Sequence, residues 1–554
     1  MINFIFLLQQ SKNNQNIEMI IRIINKLSRC NNLKYQQYSS TILYEFWGKK
    51  VTHSEFIKSM IPSLRLLLKS QSKIVQRNIL ISLTELVKTH WTYPHFASEI
   101  IDSLIVLLQN SKDETVQHYI IRIITTFSNL KDINLKLVSD SEFISTLIRI
   151  LKEKQKINSK ARNSYLLPIL AILKSLSTEN VSGQNSLVSK GVIPILHEIC
   201  LNSSLEVQRE VIQLFSAISY ENENSVLMMI KESVLQTLFL LFYQYEETML
   251  TQDLLYCISI FAKFEFIASS LGEIGFIEIL VQKLVPSKEE AELFDVSDCS
   301  VFGVDTSCFK VLNQLISNQS SKSNRERILK TNILEIIKEK IDYFDVELFI
   351  EIFRFISTFF KFYDQKTKGI IASSQDIIAC IIKNNLISYP NLSFIDSLIN
   401  FLQDVMNQKD LIFWLAKNQM FETLSQIFLN LTSNQSLFDE NLQQENFSEN
   451  QNQTQTQTQT PKIIPFNFKN FKENKISFTL NEIIISKQII ENIAKIFYFA
   501  SQFKDELIQL NLNIFQNPNV IKALKEGLLM KKLFIVQNYC EEALKFLNFL
   551  NFKF

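Results

Sequence analysis

The chain has 554 residues, 57 basic and 56 acidic side chains and a formal net charge of +1, with 46% hydrophobic and 20% charged residues but only 8 glycines and 9 prolines. At average usage a chain this long would carry roughly 39 glycines, so folds built on many tight turns and Gly-rich phosphate loops are disfavoured. The balanced charge gives no global field to attract nucleic acid or an anionic membrane, and the hydrophobic content is too high for a disordered chain.

From the start of the chain, Met1–Leu8 is apolar but lacks a basic flank, which predicts no secretory leader. No stretch of about 18 apolar residues runs without polar interruption, so no membrane span is expected. Residues 17–50 read as a starting helix pair, with Tyr35–Phe46 as its second helix. An aliphatic segment then recurs, beginning at Ile61, Ile101, Ile144, Ile193, Leu235 and Ile277, and more weakly at Ile333, Ile377, Phe421 and Ile521. Most of these starts are 40 to 49 residues apart (61 to 101, 144 to 193), and the longer intervals contain visible insertions. That period belongs to stacked helical repeats.

A second marker follows three of these segments: Val75-Gln76, Val116-Gln117 and Val207-Gln208. Downstream of it, Val116, Ile120, Ile123, Ile124 and Phe127 keep the spacing of one helix face, as do Val207, Val211, Leu214, Phe215 and Ile218. Ser111-x-x-Glu114 and Ser203-x-x-Glu206 between the helices predict capping boxes, and Thr479-x-x-Glu482 predicts a third. The predicted unit is helix, polar turn, longer helix, with neighbouring units sharing a continuous aliphatic seam.

At residues 191–219, Gly191-Val-Ile193-Pro194-Ile-Leu196, then Asn202-Ser203, then Glu206-Val207-Gln208 resembles the armadillo-repeat pattern in order and spacing. The resemblance is good over about 50–250 and thins to periodicity beyond 277. Ile79, Ile120 and Val211 stand where that family usually has small alanines. The fold class implied is all-α, a right-handed superhelical armadillo-like solenoid of about ten helical repeats. The resemblance further implies a concave groove lined by third helices that binds extended peptides or protein surfaces. In importin-alpha relatives two third-helix positions hold a Trp and, four residues on, an Asn. Aligned on the Val-Gln marker, these positions here are Ile81 and Glu85, Arg122 and Thr126, and Gln213 and Ala217; in the Ile144 unit, which has a longer turn and no marker, the best register gives Ala171 and Ser175. No Trp–Asn ladder exists, which disfavours a nuclear-import adaptor.

The expected organisation is 1–50 as N-terminal capping helices, 51–432 as the array with a loop insertion near 286–308, 433–465 as a disordered Asn/Gln/Thr-rich insertion, and 466–554 as C-terminal repeats and cap. The Phe-rich stretch 465–471 reads as packing back on the array, and the terminal phenylalanines as folding against the preceding unit.

Chemistry-bearing residues are few. His197-Glu198 opens like H-E-x-x-H, but Leu201 breaks the zincin pair. The seven cysteines form no C-x-x-C motif, and their odd number and low density point to a reducing compartment; Cys299 and Cys308 are read as loop residues. His90, His95 and His118 read as surface or cap residues. No catalytic residues, metal, cofactor or small-molecule substrate are expected. The functional reading is a non-catalytic scaffold binding a protein or peptide, with no nucleic-acid or membrane partner, in the cytoplasm, with cilium and nucleus left open. Two alternatives stand beside it: a co-chaperone or nucleotide-exchange factor for a heat-shock ATPase, and a structural component of a cytoskeletal or ciliary assembly.

Overall fold

The computed structural model describes residues 14–47, 54–90, 94–156, 161–245, 248–284, 299–318, 321–340, 346–361, 395–396, 399–400, 402, 416, 420–432, 480–502, 518–528 and 534–546. All regular structure among them is α-helical, and the chain divides into two compact units, Met1–Phe261 and Ala262–Phe554.

The first unit opens with three helix pairs: α1 (Asn14–Ser28) and α2 (Leu33–Trp47), α3 (Ser54–Leu68) and α4 (Lys73–His90), α5 (Pro94–Asn110) and α6 (Glu114–Phe127). From Lys131 onward a short helix precedes each pair. The triplets are α7 (Lys131–Ser139), α8 (Ser141–Lys154) and α9 (Ala161–Ser177), then α10 (Val181–Ser189), α11 (Val192–Leu201) and α12 (Leu205–Ser219), then α13 (Glu223–Lys231), α14 (Val234–Gln244) and α15 (Thr248–Ala262). The two-helix unit anticipated from sequence therefore describes residues 14–127 and is corrected beyond them.

Local chemistry accounts for the added helix in the second and third triplets. Glu179 and Glu221 adopt left-handed φ values of 51° and 53°, which end α9 and the turn after α12. The Asn that follows each then caps the short helix: Asn180 accepts from the Gly183 amide at 3.0 Å and Asn222 from the Ser225 amide at 3.1 Å. A second left-handed residue separates the short helix from the next one, Gly191 at φ 72° and Ser233 at φ 60°.

Helices α2, α4, α6, α9 and α12 stack in sequence, each against the next. The marker valines Val75, Val116 and Val207 are completely buried, as are Ile79, Ile120, Val211 and Phe215 on the same helices. Burying each such side chain contributes about 1.5–3 kcal/mol, and no two-helix unit could bury this seam alone.

The marker glutamines have a separate task. A helix leaves its last carbonyls without intrahelical donors, and a left-handed glycine just past the end is the common remedy. Here an amide side chain at the fourth residue of the following helix donates back to the end of the preceding one. Gln36 donates to the Cys30 carbonyl at 3.1 Å, Gln76 to Ser70 at 2.8 Å, Gln117 to Ser111 at 2.7 Å, and Asn134 to Ser128 at 3.1 Å. Gln208 donates to Cys200 at 3.0 Å. Gln184 is the most heavily engaged, donating to Ser177 at 3.2 Å, Ala217 at 2.9 Å and Tyr220 at 3.1 Å, so it ties the ends of α9 and α12 together.

The anticipated capping boxes are replaced by other arrangements. Asp113, not Ser111, caps α6, accepting from the Thr115 and Val116 amides, while the Ser111 hydroxyl accepts from the Asp113 amide. Ser204 occupies the N-cap of α12 without a capping bond, its hydroxyl accepting instead from the Asn163 amide at 2.9 Å, and the Ser203 hydroxyl is buried without a partner. Thr479 lies outside the described residues.

The second unit contains α16 (Glu265–Glu273), α17 (Phe276–Lys283) and α18 (Cys299–Ser317), then α19 (Lys322–Ile328), α20 (Ile333–Lys340) and α21 (Val346–Lys361). Asn324 repeats the amide clamp, donating to Leu315 at 2.9 Å and to Ala268 at 2.8 Å. A Cβ on Gly272 would sit 1.7 Å from its Oδ1, so only glycine lets α19 approach α16 this closely. Residues 299–308 are helical, so Cys299 and Cys308 are not loop residues, and Cys308 is buried. Four later helices, α22 (Met420–Thr432), α23 (Leu480–Ser501), α24 (Pro518–Leu528) and α25 (Phe534–Phe546), pack on one another. The expected insertion at 433–465, the Phe-rich stretch and the terminal phenylalanines lie outside the described residues.

Two stability measurements check these assignments. Gln184→Leu removes the side-chain donor to the Ala217 and Tyr220 carbonyls and one of two donors to Ser177, and should lower the free energy of unfolding by about 2–3 kcal/mol, read from the urea midpoint by circular dichroism. Ser233→Gly relieves a left-handed serine and should raise stability by about 1 kcal/mol, whereas Gly191→Ala should lower it by a similar amount, although nothing lies within 4 Å of the added Cβ.

Candidate interaction surface

The eight residues singled out from sequence fall on four consecutively stacked helices. Ile81 and Glu85 are on α4, Arg122 and Thr126 on α6, Ala171 and Ser175 on α9, Gln213 and Ala217 on α12. Glu85 and Arg122 are exposed; the other six are half-buried. In each helix the seam residues point to the opposite side, because positions three and four apart share a face.

Their chemistry differs along the stack. Gln213 is engaged on both sides: its Oε1 accepts from Lys174 Nζ at 2.8 Å and its Nε2 donates to Asp253 at 3.1 Å. Lys174 also meets Glu210 at 2.8 Å, and Arg209 donates to Asp253 at 2.8 Å. The result is a chain of alternating charge, Glu210–Lys174–Gln213–Asp253–Arg209, running from α9 across α12 to α15. Two cations face two carboxylates, so this stretch is neutral within itself.

Ser175 is likewise committed. Its hydroxyl donates to the Ser128 carbonyl at 2.7 Å and accepts from the Asn134 amide at 3.0 Å. The Thr126 hydroxyl lies 3.5 Å from the Arg122 carbonyl, a marginal contact. Ala171 and Ala217 leave the surface low between these polar groups.

Lys174, Arg209, Glu210 and Asp253 escape the family-based alignment. Their signal is opposite charge one repeat apart: Lys174 precedes Glu210 by 36 residues and Arg209 precedes Asp253 by 44. Tyr256 stands one repeat after Gln213 on α15 and is 52% exposed.

The titratable groups nearby do not resemble a reactive centre. Burial pushes the Cys200 and Cys257 thiols up to about 12, so both are protonated at neutral pH and unreactive as nucleophiles. Burial also lowers the His197 pKa below the ordinary imidazole value of 6.5, and its Nε2 lies 2.6 Å from the Thr237 hydroxyl. His118 is lowered by burial and by Arg122, and packs edge-on against Tyr165 at 4.9 Å. Among the described residues no group of three or more His, Cys, Asp or Glu side chains is placed to hold a metal ion, and no single helix is long and apolar enough to cross a membrane.

No protein-family model matches the chain, and no curated protein matches it. Solved structures do. The chain is similar to a crystal structure of an engineered protein at 13% identity and a TM-score of 0.50, over 96% of this chain and 98% of that one. It is similar at 11% identity and the same TM-score to a structure solved in work on the phosphorylation switch that controls the interaction between cadherin and beta-catenin, over 99% of both chains. A designed armadillo repeat protein aligns over 44% of this chain and 99% of its own, at 14% identity and a TM-score of 0.36. Together with the stacked helices, the full-length likenesses show what this chain has in common with them: an all-α, armadillo-like repeat fold.

Proposed function

We propose that this chain is a non-catalytic scaffold that binds other proteins or extended peptides along the solvent-facing side of α4, α6, α9, α12 and α15. The observation that carries this reading is the stack itself. Four of these long helices, α4, α6, α9 and α12, stack one on the next with their other side sealed in the seam, and Asp253 of α15 is tied to α12 through Arg209 and Gln213. Such a row repeats at the spacing between stacked helices, about 8–10 Å, so a ligand lying across it is met by one helix after another. The fold neighbour from the cadherin and beta-catenin study supports binding of this kind in general, because that work concerns an interaction between proteins. The high pKa values of the buried thiols fit a non-catalytic role.

Within this face, Arg122 and Glu85 are the exposed charges on α6 and α4, and Tyr256 supplies an exposed aromatic ring on α15. Partner contacts on the ladder from Lys174 to Arg209 are made to groups that already have partners, so recognition there rests on shape and apolar contact. Contacts at Arg122 carry the charge dependence.

A photo-crosslinking amino acid placed at Arg122 or Gln213 should trap a discrete protein partner in cells of the source, while the same group at Leu240, exposed on α14, should not. Arg122→Ala should weaken recovery of that partner yet change stability by less than about 0.5 kcal/mol. Equal crosslinking from Leu240, or unfolding of the Arg122 variant, would falsify the assignment of this face.

A further inference from the structure

A polar cleft of about 460 Å³ opens in the first unit where the turn between α5 and α6 faces α8. It is separate from the row of third-helix residues, and its walls are built from polar and charged side chains. Five of them carry charge: Lys112 in the turn, Glu114 on α6, and Arg149, Glu153 and Lys154 on α8. Three cations against two carboxylates leave the cleft with a charge of +1.

The pairing is uneven. Arg149 meets Glu153 at 2.8 Å, both about half exposed. Lys154 meets Glu114 at 2.8 Å, but the lysine side chain is only 5% exposed whereas the glutamate is 65% exposed. The stem of Lys154 is thus held in the fold, and its ammonium also lies 4.7 Å from the centre of the Tyr165 ring. An ammonium has three donors. One serves Glu114 and one side faces the ring, and Lys154 itself lines the cleft, so its donors are not all taken up by those two neighbours. Lys112 is exposed and, among the described residues, has no carboxylate within ion-pair distance.

We infer that this cleft receives a carboxylate side chain from an acidic segment of a protein partner, held between Lys112, Arg149 and the buried ammonium of Lys154. One carboxylate cancels the excess charge of the lining. The size argues for a group carried on a chain, since 460 Å³ falls within the roughly 300–1,000 Å³ of small-ligand sites and exceeds what a lone ion fills. No apolar residue lines the cleft, which argues against a hydrophobic anchor. Because Lys154 is already positioned, an incoming carboxylate orders little beyond Lys112 and Arg149. The inference rests on the scaffold reading but places the acidic contact at the edge of the repeats, away from Arg122.

The test is fluorescence anisotropy of a labelled oligoglutamate peptide with the full chain at low salt. Binding should be seen, should be absent for oligoglutamine, and should weaken about tenfold or more for Lys112→Glu, the scale expected of a charge reversal at a complementary contact. Lys112→Arg should restore it, and unchanged helical dichroism should show that the variants fold. Affinity indifferent to Lys112→Glu overturns the inference, as does loss of binding in Arg122→Glu alone; the latter puts the peptide on the third-helix face and leaves the scaffold reading intact. Competition by inorganic phosphate as strong as by unlabelled peptide also overturns it, since the cleft would then be a site for free anions.

Discussion

The constraint on which this architecture depends is the fate of the carbonyls at helix ends. A chain that turns every ten to fifteen residues between packed helices buries many such ends, and each carbonyl left without a donor costs about 1–3 kcal/mol. With only 8 glycines in 554 residues, this chain cannot close its helices with left-handed glycines throughout. It uses asparagine and glutamine instead, at one fixed place, the fourth residue of the next helix. The amide is long enough to reach back over the turn, and its position on the first turn of a helix points it toward the carbonyls just left behind. Gln36, Gln76, Gln117, Asn134, Gln184 and Gln208 all act in this way.

Once the ends are satisfied, the aliphatic seam can close. Val75, Val116 and Val207 sit one residue before three of these amides and are completely buried. The Val-Gln pair is therefore a two-part device, one side chain filling the seam and the next sealing the turn. Gln184 and Asn134 extend the device across repeats, since each also bonds to groups at the end of the following long helix. Their loss would loosen the stacking of neighbours as well as the turn itself. The short helices of the second and third triplets follow from equally local rules. A left-handed residue before an Asn cap, as at Glu179-Asn180 and Glu221-Asn222, starts a short helix where the earlier repeats run straight into the next long one.

How much of this could be read from residues alone depends on what kind of partner each side chain has. Seam positions such as Ile120 and Phe215 were legible because burial follows helical spacing directly. The stacked long helices follow from the same periodicity, whereas the row at Ile81, Arg122 and Gln213 came from the armadillo resemblance, carried over through the Val-Gln marker. The work of the glutamines was not legible, because a backbone carbonyl six to eight residues upstream has no residue identity to recognise. The short helix Val181–Ser189 was hidden for another reason: nine mostly small and polar residues give a weak apolar face, and the Glu-Asn pair that starts it repeats only after 42 residues. The capping boxes at Ser111 and Ser203 failed by one or two positions, since Asp113 competes better than Ser111 for the first amides of α6 and Ser204, not Ser203, holds the N-cap of α12. The charge ladder on the candidate face was missed because a template of Trp and Asn positions looks past Lys174 and Asp253.

That ladder bears on what kind of partner the surface can hold. Between α9 and α15 every charged group on the row has an opposite neighbour at 2.8 Å. A charged ligand landing there must replace a contact already made, so it gains little net attraction. Matched charge also serves cohesion, because Lys174 and Arg209 each link one long helix to the next and hold the row in register. The same groups cannot be optimised for both tasks. Cohesion takes the charges between the later helices of the first unit, so the proposed charge-dependent recognition falls to places where the count does not balance. Arg122 is one such place, beside a histidine whose protonated form it disfavours. The cleft at Lys112 is another, with an excess cation set over a lysine that the fold already holds in place. On the proposed reading, the surface that fits a partner's shape is distinct from the point that reads its charge.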